Sequence, residues 1–77
     1  MKVAATLDLC GESCPNNYVR TVLALEELEI GEVLEVILQG QEALANVPRS
    51  VNMSGQKIVA VERGENEQLR LWIEKVH

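Results

Sequence analysis

Two cysteines, Cys10 and Cys14, are the residues of this 77-residue chain best suited to covalent chemistry. Pro15 follows Cys14 directly and fits best as the first residue of a helix, where its missing N–H costs nothing. Cys14 is then expected at the N-cap position, or one residue away if Ser13 caps the helix. Unpaired N–H groups and the positive end of the helix dipole favour a thiolate there. The pattern predicts a nucleophilic thiol, and the alternative is an inert, buried cysteine.

The composition narrows the class of protein. A formal net charge of −5, with one Tyr, one Trp and no Phe, disfavours binding to nucleic acid, which needs clustered basic residues or stacking rings. The length predicts a single domain over residues 1–77, with an aliphatic core and little room for a large ligand cavity. Two cysteines and one histidine, His77, cannot supply four zinc ligands, so no metal or cofactor is expected. We expect protein partners.

The sequence also bears on the compartment. We find no secretory signal at the start and no apolar run long enough to span a membrane. Two closely spaced cysteines do not resemble the disulfide framework of a secreted mini-protein. We therefore expect a cytoplasmic protein without membrane contacts, whose thiols are reduced.

Hydrophobic patterning predicts six elements around the two thiols. Residues 3–9 form a strand, and residues 32–40 form an interior strand. Residues 42–53 form a weaker helix that Pro48 kinks or restarts, and residues 56–64 and 68–76 form two further strands. The first helix, which ends at Gly31, carries an apolar stripe of Val19, Val22, Leu23, Leu25 and Leu28. This order predicts an α/β two-layer sandwich, β-α-β-α-β-β, in which a four-stranded mixed sheet has two helices on one face.

The stretch LDLCGESCP resembles the start of the TusA/SirA family of small sulfur-carrier proteins. Its members carry the signature Asp-x-x-Gly-x-x-Cys-Pro-x-Pro between a strand and a helix, and the matching residues here are Asp8, Gly11, Cys14 and Pro15. The element order and the GEVLEV run agree as well. The resemblance implies a sulfurtransferase-type carrier in which Cys14 holds sulfur as a persulfide. It also implies a protein donor, of the cysteine desulfurase or rhodanese type, and a protein acceptor.

This sequence departs from the family signature at two positions. Asn17 replaces the second proline; it either strengthens the anion site with a restored backbone N–H or removes a rigid surface that a partner expects. Cys10 occupies a position that usually holds no cysteine. Asp8, Gly11, Pro15 and Asn17 are expected to shape the site, with Gly11 in a left-handed turn and Asp8 hydrogen-bonded to the loop.

Cys10 has two interpretations. It ends the strand as a small buried residue, or it resolves a persulfide or sulfenate on Cys14 by forming a reversible disulfide. Three functions therefore remain open. They are a sulfur relay through Cys14, a thiol–disulfide redox module that uses both cysteines, and a non-catalytic regulatory or interaction domain.

The uncovered face of the sheet is a candidate contact surface. In the last strand, Arg70, Trp72 and Glu74 share the face opposite to that of the apolar residues. An apolar patch forms around Trp72 if neighbouring strands contribute to the same face. The contributing residues are Val33, Ile37, Val59 and Val61. Such a patch predicts a homodimer or a docked partner, remote from Cys14.

Overall fold

The computed structural model describes residues 3–11 and 16–77, apart from the side chains of residues 42 and 43. Within these residues the elements follow the predicted order. They are β1 (Val3–Asp8), α1 (Asn16–Glu26), β2 (Val33–Gln39), α2 (Gln41–Met53), β3 (Lys57–Arg63) and β4 (Gln68–Glu74).

The four strands form one mixed sheet in the order β1-β2-β4-β3. β1 and β2 are parallel, and β4 runs antiparallel to both of its neighbours. Both helices cover the same face of the sheet, which confirms the predicted two-layer sandwich. Because α1 links two adjacent parallel strands, it begins at the end of the sheet where β1 ends.

The hydrophobic core lies between the sheet and the helices. The inward side chains of β2 and β4 are buried, and burial stabilises the fold by roughly 1.5–3 kcal/mol for each such side chain. These residues are Leu34, Val36, Leu38, Leu69, Leu71 and Ile73. Leu25 from α1 and Val47 and Val51 from α2 pack against them.

The apolar stripe predicted for α1 is only partly correct: Leu25 is buried and Leu28 packs against the core. Val19 and Leu23 are 47% and 56% exposed, whereas Asn17 and Thr21 are almost fully buried. Two hydrogen bonds make this possible. The Thr21 hydroxyl donates to the Asn17 carbonyl oxygen at 2.9 Å, and Asn17 Oδ1 accepts from the Tyr18 N–H at 2.7 Å. A buried polar side chain with a partner is tolerated, so α1 turns a partly polar stripe toward the sheet.

Pro48 lies inside α2, which continues through it from Gln41 to Met53. The helix therefore does not restart at Pro48. Because proline has no N–H, the carbonyl of Leu44 lacks its usual helical donor.

The uncovered face of the sheet has a polar centre. Glu35 accepts a hydrogen bond from the Thr6 hydroxyl at 2.9 Å and forms an ion pair with Arg70, with Nε and Oε2 3.2 Å apart. Trp72 lies opposite Glu35 on one side and opposite Ala60 on the other, and it is half-buried.

The apolar patch around Trp72 is smaller than expected. The pairing of β3 with β4 is irregular between Ile58 and Ala60, and beyond that point Val61 lies opposite the core residue Leu71. Residues directly opposite one another share a face, so Val61 belongs to the helix side. Val33 and Ile37 remain on the uncovered face, as predicted.

None of the helices in residues 3–11 and 16–77 is long and apolar enough to cross a membrane.

Candidate functional site

The end of β1 is fixed to the sheet beyond its last strand residue. The Leu9 N–H donates to the Ile37 carbonyl oxygen at 2.8 Å, and the Leu9 side chain is 1% exposed. A buried leucine with a bonded backbone holds the start of the following loop in place. Asp8 and Cys10, which flank Leu9, are therefore held at the end of the sheet where β1 ends.

Asp8 folds the start of this loop back onto itself. Its Oδ1 accepts a hydrogen bond from the Cys10 backbone N–H at 3.0 Å, the pattern of an Asx turn. Hydrogen bonding favours the ionised carboxylate, first from the Cys10 backbone and then from the Cys10 side chain, and this lowers the pKa of Asp8. The loop thus begins with a fixed negative charge.

The Cys10 thiol is free and half-buried. Burial raises its pKa, and the neighbouring Asp8 carboxylate raises it further through a hydrogen bond and through its charge. Gln68 Nε2 lies 3.7 Å from Cys10 Sγ, and its hydrogen bond lowers the pKa of the thiol in part. Since the net direction is upward, Cys10 stays protonated at neutral pH.

Gly11 does not adopt the left-handed conformation that we expected. Its φ lies outside that region, in contrast to Gly31, Gly40 and Gly55. A Cβ built on Gly11 meets no atom within 4 Å. The predicted reason for a glycine at this position is therefore wrong, and the described neighbours supply no steric reason in its place.

Cys14 and Pro15 lie outside the described residues, as do Glu12 and Ser13. The predicted N-cap position of Cys14 and the predicted helix start at Pro15 therefore stay predictions. Asn17, which stands where the family signature has its second proline, is described. It is 1% exposed, and its side chain accepts from a backbone N–H in the first turn of α1.

The end of the sheet at which β1 ends also holds the beginning of α2 and the β3–β4 turn. The Gly40 N–H donates to the Glu67 carbonyl oxygen at 3.1 Å, and Gln39 Nε2 donates to the Asn66 carbonyl oxygen at 3.2 Å. Both helices thus begin at this end of the sheet, where the positive ends of their dipoles favour negative charge. The same turn leads directly into Gln68.

Gln68 is the residue of this site that the sequence did not reveal. It is separated from Cys10 by 58 positions and belongs to no motif. Only the pairing register of β2 with β4 brings Gln68 to this end of the sheet, since Gln68 lies opposite Gln39 at the end of β2. A polar residue at the first position of the last strand was the one signal available, and it is a common feature of surface strands.

Comparison with known proteins gives a consistent result. Residues 5–75 match the family model described as "Sulfurtransferase TusA". A "Putative sulfur carrier protein" of Archaeoglobus fulgidus is 45% identical over 62 residues, which covers 79% of this chain and 70% of that protein. The protein of the same description from Methanocaldococcus jannaschii is 39% identical, with 90% and 91% covered. The YedF protein of Escherichia coli K12, also described in these words, is 30% identical, with 90% and 88% covered.

A solved structure supports the fold independently. The crystal structure of a SirA-like protein from Desulfitobacterium hafniense superposes with a TM-score of 0.78. The match covers 95% of this chain and 99% of the other, at 24% sequence identity. With a family model spanning nearly the whole chain, relatives of similar length and a shared fold, this chain belongs to the TusA sulfurtransferase family.

Proposed function

We propose that this protein is a sulfur relay that accepts sulfane sulfur as a persulfide on Cys14 and passes it to an acceptor protein. The observation that carries the proposal is the family match over residues 5–75, which includes the Cys14-Pro15 pair of the signature. The partners are a protein donor, of the cysteine desulfurase or rhodanese type, and a protein acceptor.

The transfer needs one reactive thiolate and an approach for the partner. The Cys14 thiolate attacks the outer sulfur of a donor persulfide, the donor S–S bond breaks, and the donor cysteine leaves as a thiolate. Cys14 then carries an outer sulfur bound to one proton. A nucleophile of the acceptor attacks this outer sulfur, and the Cys14 thiolate leaves. Neither half of the transfer requires an oxidant or a reductant.

The surroundings support an anionic sulfur at the end of the sheet where β1 and β2 end. Two helices begin there, and their unpaired N–H groups and dipoles favour a thiolate or a persulfide anion. A lowered pKa makes a thiolate available near neutral pH and a better leaving group in the second transfer.

The two cysteines differ in a way that favours a single carrier. The pKa of Cys10 is raised, and its thiol is held between Asp8 and Gln68. A protonated thiol is a poor nucleophile, so Cys10 competes weakly for the donor sulfur. We therefore assign the carrier role to Cys14 alone and a site-shaping role to Asp8 and Cys10.

Mass spectrometry of the intact protein tests the proposal. Incubation with a cysteine desulfurase and cysteine should add ~32 Da, one sulfur atom, to the wild-type chain. The matched variants are Cys14→Ser, which should show no gain, and Cys10→Ser, which should gain sulfur as the wild type does. Sulfur loading of a folded Cys14→Ser variant would contradict the proposal.

The redox-module alternative requires Cys10 as an attacking thiolate or a disulfide partner. The raised pKa of Cys10 disfavours the first role. A regulatory or interaction domain without sulfur chemistry is the remaining alternative, and the same measurement separates it from a carrier because its Cys14 would gain no sulfur.

A further inference from the structure

The outer edge of β1 is open to another strand. Among the described residues β1 pairs only with β2. The Leu9 N–H points to β2, where it donates to the Ile37 carbonyl oxygen. Backbone groups alternate in direction along a strand, so those of Thr6 and Asp8 point away from β2. These amides and carbonyls offer the hydrogen-bonding pattern that an added strand would match.

The side chains of β1 discourage such pairing only at its end, where Asp8 is charged. Residues 3–7 carry no charge, and four of the five are exposed. An irregularity between Val3 and Ala5 affects only the beginning of the strand, and Thr6, Leu7 and Asp8 follow in regular register with β2. An edge that is uncharged over most of its length is a ready template for strand addition.

The opposite edge of the sheet differs. β3 carries the charged residues Lys57, Glu62 and Arg63. Its pairing is irregular in the middle, between Ile58 and Ala60. Charged side chains and bulges are the features by which natural edge strands avoid unwanted pairing. Among the described residues, β3 thus carries more of these protective features than β1 does.

A groove runs beside the open edge on its helix side. It lies between β1 and α1, has a volume of about 210 Å³, and is lined by Leu7, Arg20, Leu23, Ala24 and Glu27. Leu23 is 56% exposed, and Leu7 and Ala24 are the other apolar residues of this lining. Alternate side chains of a strand added to β1 would point to the helix side of the sheet, where this groove would receive them.

The charges around the edge indicate the character of the added segment. Arg20 and Glu27 balance one another within the groove, whereas Asp8, whose pKa is lowered, keeps a negative charge at the end of the edge. The whole chain has a formal charge of −5. β1 itself contains no basic residue, and two chains of the same negative net charge repel each other, which favours a basic segment of another protein over a second copy.

We propose that the β1 edge binds an extended segment of a partner protein, apolar at alternate positions and flanked by Lys or Arg. The segment adds to the sheet beside β1 and places an apolar side chain between Leu7 and Leu23. This inference concerns the partner surface and does not depend on persulfide formation at Cys14.

A defined peptide tests the surface without a known partner. The probe is a synthetic peptide of alternating valine and threonine flanked by lysines, added to the 15N-labelled protein and followed by NMR. We expect saturable shifts of the Thr6 and Asp8 amides. A peptide with the same core and flanking glutamates should bind about tenfold more weakly at low salt, because attraction to Asp8 and to the negative net charge of the chain becomes repulsion. A lysine-flanked peptide with alternate amides N-methylated should not bind, since it lacks the donors that a strand requires.

Matched variants separate backbone pairing from side-chain effects. Thr6→Pro removes the outward N–H, whereas Thr6→Val keeps it, and both lose the hydroxyl bond to Glu35. We expect binding by Thr6→Val and none by Thr6→Pro. Leu23→Glu should weaken binding about tenfold, and Val61→Glu, on the other edge strand and equally exposed at 56%, should not.

Several outcomes would overturn the proposal. They are shifts confined to β3 or to the Trp72 face, equal binding by the N-methylated peptide, and a chain that protects its own Thr6 amide by dimerising through β1. The N-methylated probe keeps the test decisive if Thr6→Pro does not fold. Sulfur loading of Cys14 is measured separately, so failure of one proposal leaves the other intact.

Discussion

The side-chain amide of Gln68 lies 3.7 Å from the sulfur of Cys10, although the two residues are 58 positions apart. This contact and the Asx turn at Asp8 act on the same thiol in opposite directions. The Asp8 carboxylate raises the pKa of Cys10, and the Gln68 amide lowers it. A change at either residue should therefore change the pKa of Cys10, and with it the reactivity of the thiol.

The first prediction concerns this adjustment. Asp8→Asn removes a negative charge and should lower the pKa of Cys10, so alkylation of Cys10 should begin at lower pH. Gln68→Leu removes the hydrogen bond to the thiolate and should raise the pKa, so alkylation should begin at higher pH. Iodoacetamide labelling of the Cys14→Ser variant, followed against pH, measures both shifts. Shifts in the same direction in the two variants would contradict the assignment.

The second prediction compares the two thiols in the wild-type chain. We expect half-maximal alkylation of Cys14 below the ~8.5 of a free cysteine and that of Cys10 above it. At pH 7 Cys14 should therefore react faster. Peptide mapping after brief labelling identifies the modified residue, and denatured protein is the control in which the difference should disappear.

The third prediction concerns a disulfide between Cys10 and Cys14. Because burial and the Asp8 carboxylate keep Cys10 protonated, we expect little disulfide under mild oxidant. Gln68→Leu should not increase it, since the pKa of Cys10 then rises further. Non-reducing peptide mapping after a glutathione redox titration gives the answer. Rapid and complete disulfide formation would instead favour the redox module.

The fourth prediction concerns Asn17. Asn17→Ala leaves the Tyr18 N–H without its side-chain acceptor and should lower the free energy of unfolding by about 1–2 kcal/mol. Asn52→Ala removes an exposed asparagine from α2 and should change it by less than about 0.5 kcal/mol. Urea denaturation of the two variants provides the comparison. Equal effects would show that the buried hydrogen bond adds nothing to stability.

The fifth prediction concerns the uncovered face of the sheet. If this face forms a homodimer, Trp72→Glu should shift the chain toward the monomer and leave sulfur loading of Cys14 unchanged. The reason is that a charge beside Glu35 adds repulsion at the centre of the face. Sedimentation at several concentrations measures the association, and Val61→Glu, on the helix side, serves as the control. Identical behaviour of Trp72→Glu and wild type would remove this face as the dimer surface.

The order of elements could be predicted because its signals are local. Apolar runs such as residues 33–38 read as a buried strand whatever surrounds them, and glycines and polar turns separate one element from the next. The family signature likewise lies within one short stretch. These features require no knowledge of distant contacts.

The details that could not be predicted depend on partners distant in sequence or on local irregularity. The apolar stripe of α1 was predicted only in part because hydrogen bonds allow Asn17 and Thr21 to be buried, and side-chain polarity alone predicts the reverse. Val61 faces the helices because the β3–β4 pairing shifts by one step at an irregularity. The contact of Gln68 with Cys10 depends on the register of β4 with β2 and of β2 with β1.

The position of β4 has a consequence for biosynthesis. β4 follows the other five elements in the sequence, yet it lies between β2 and β3 and supplies Leu69, Leu71 and Ile73 to the core. Before these residues leave the ribosome, β2 has an unpaired edge and β3 has no neighbour in the sheet. The sheet therefore cannot be completed before residues 68–74 emerge, and the apolar side chains of β2 stay exposed until then.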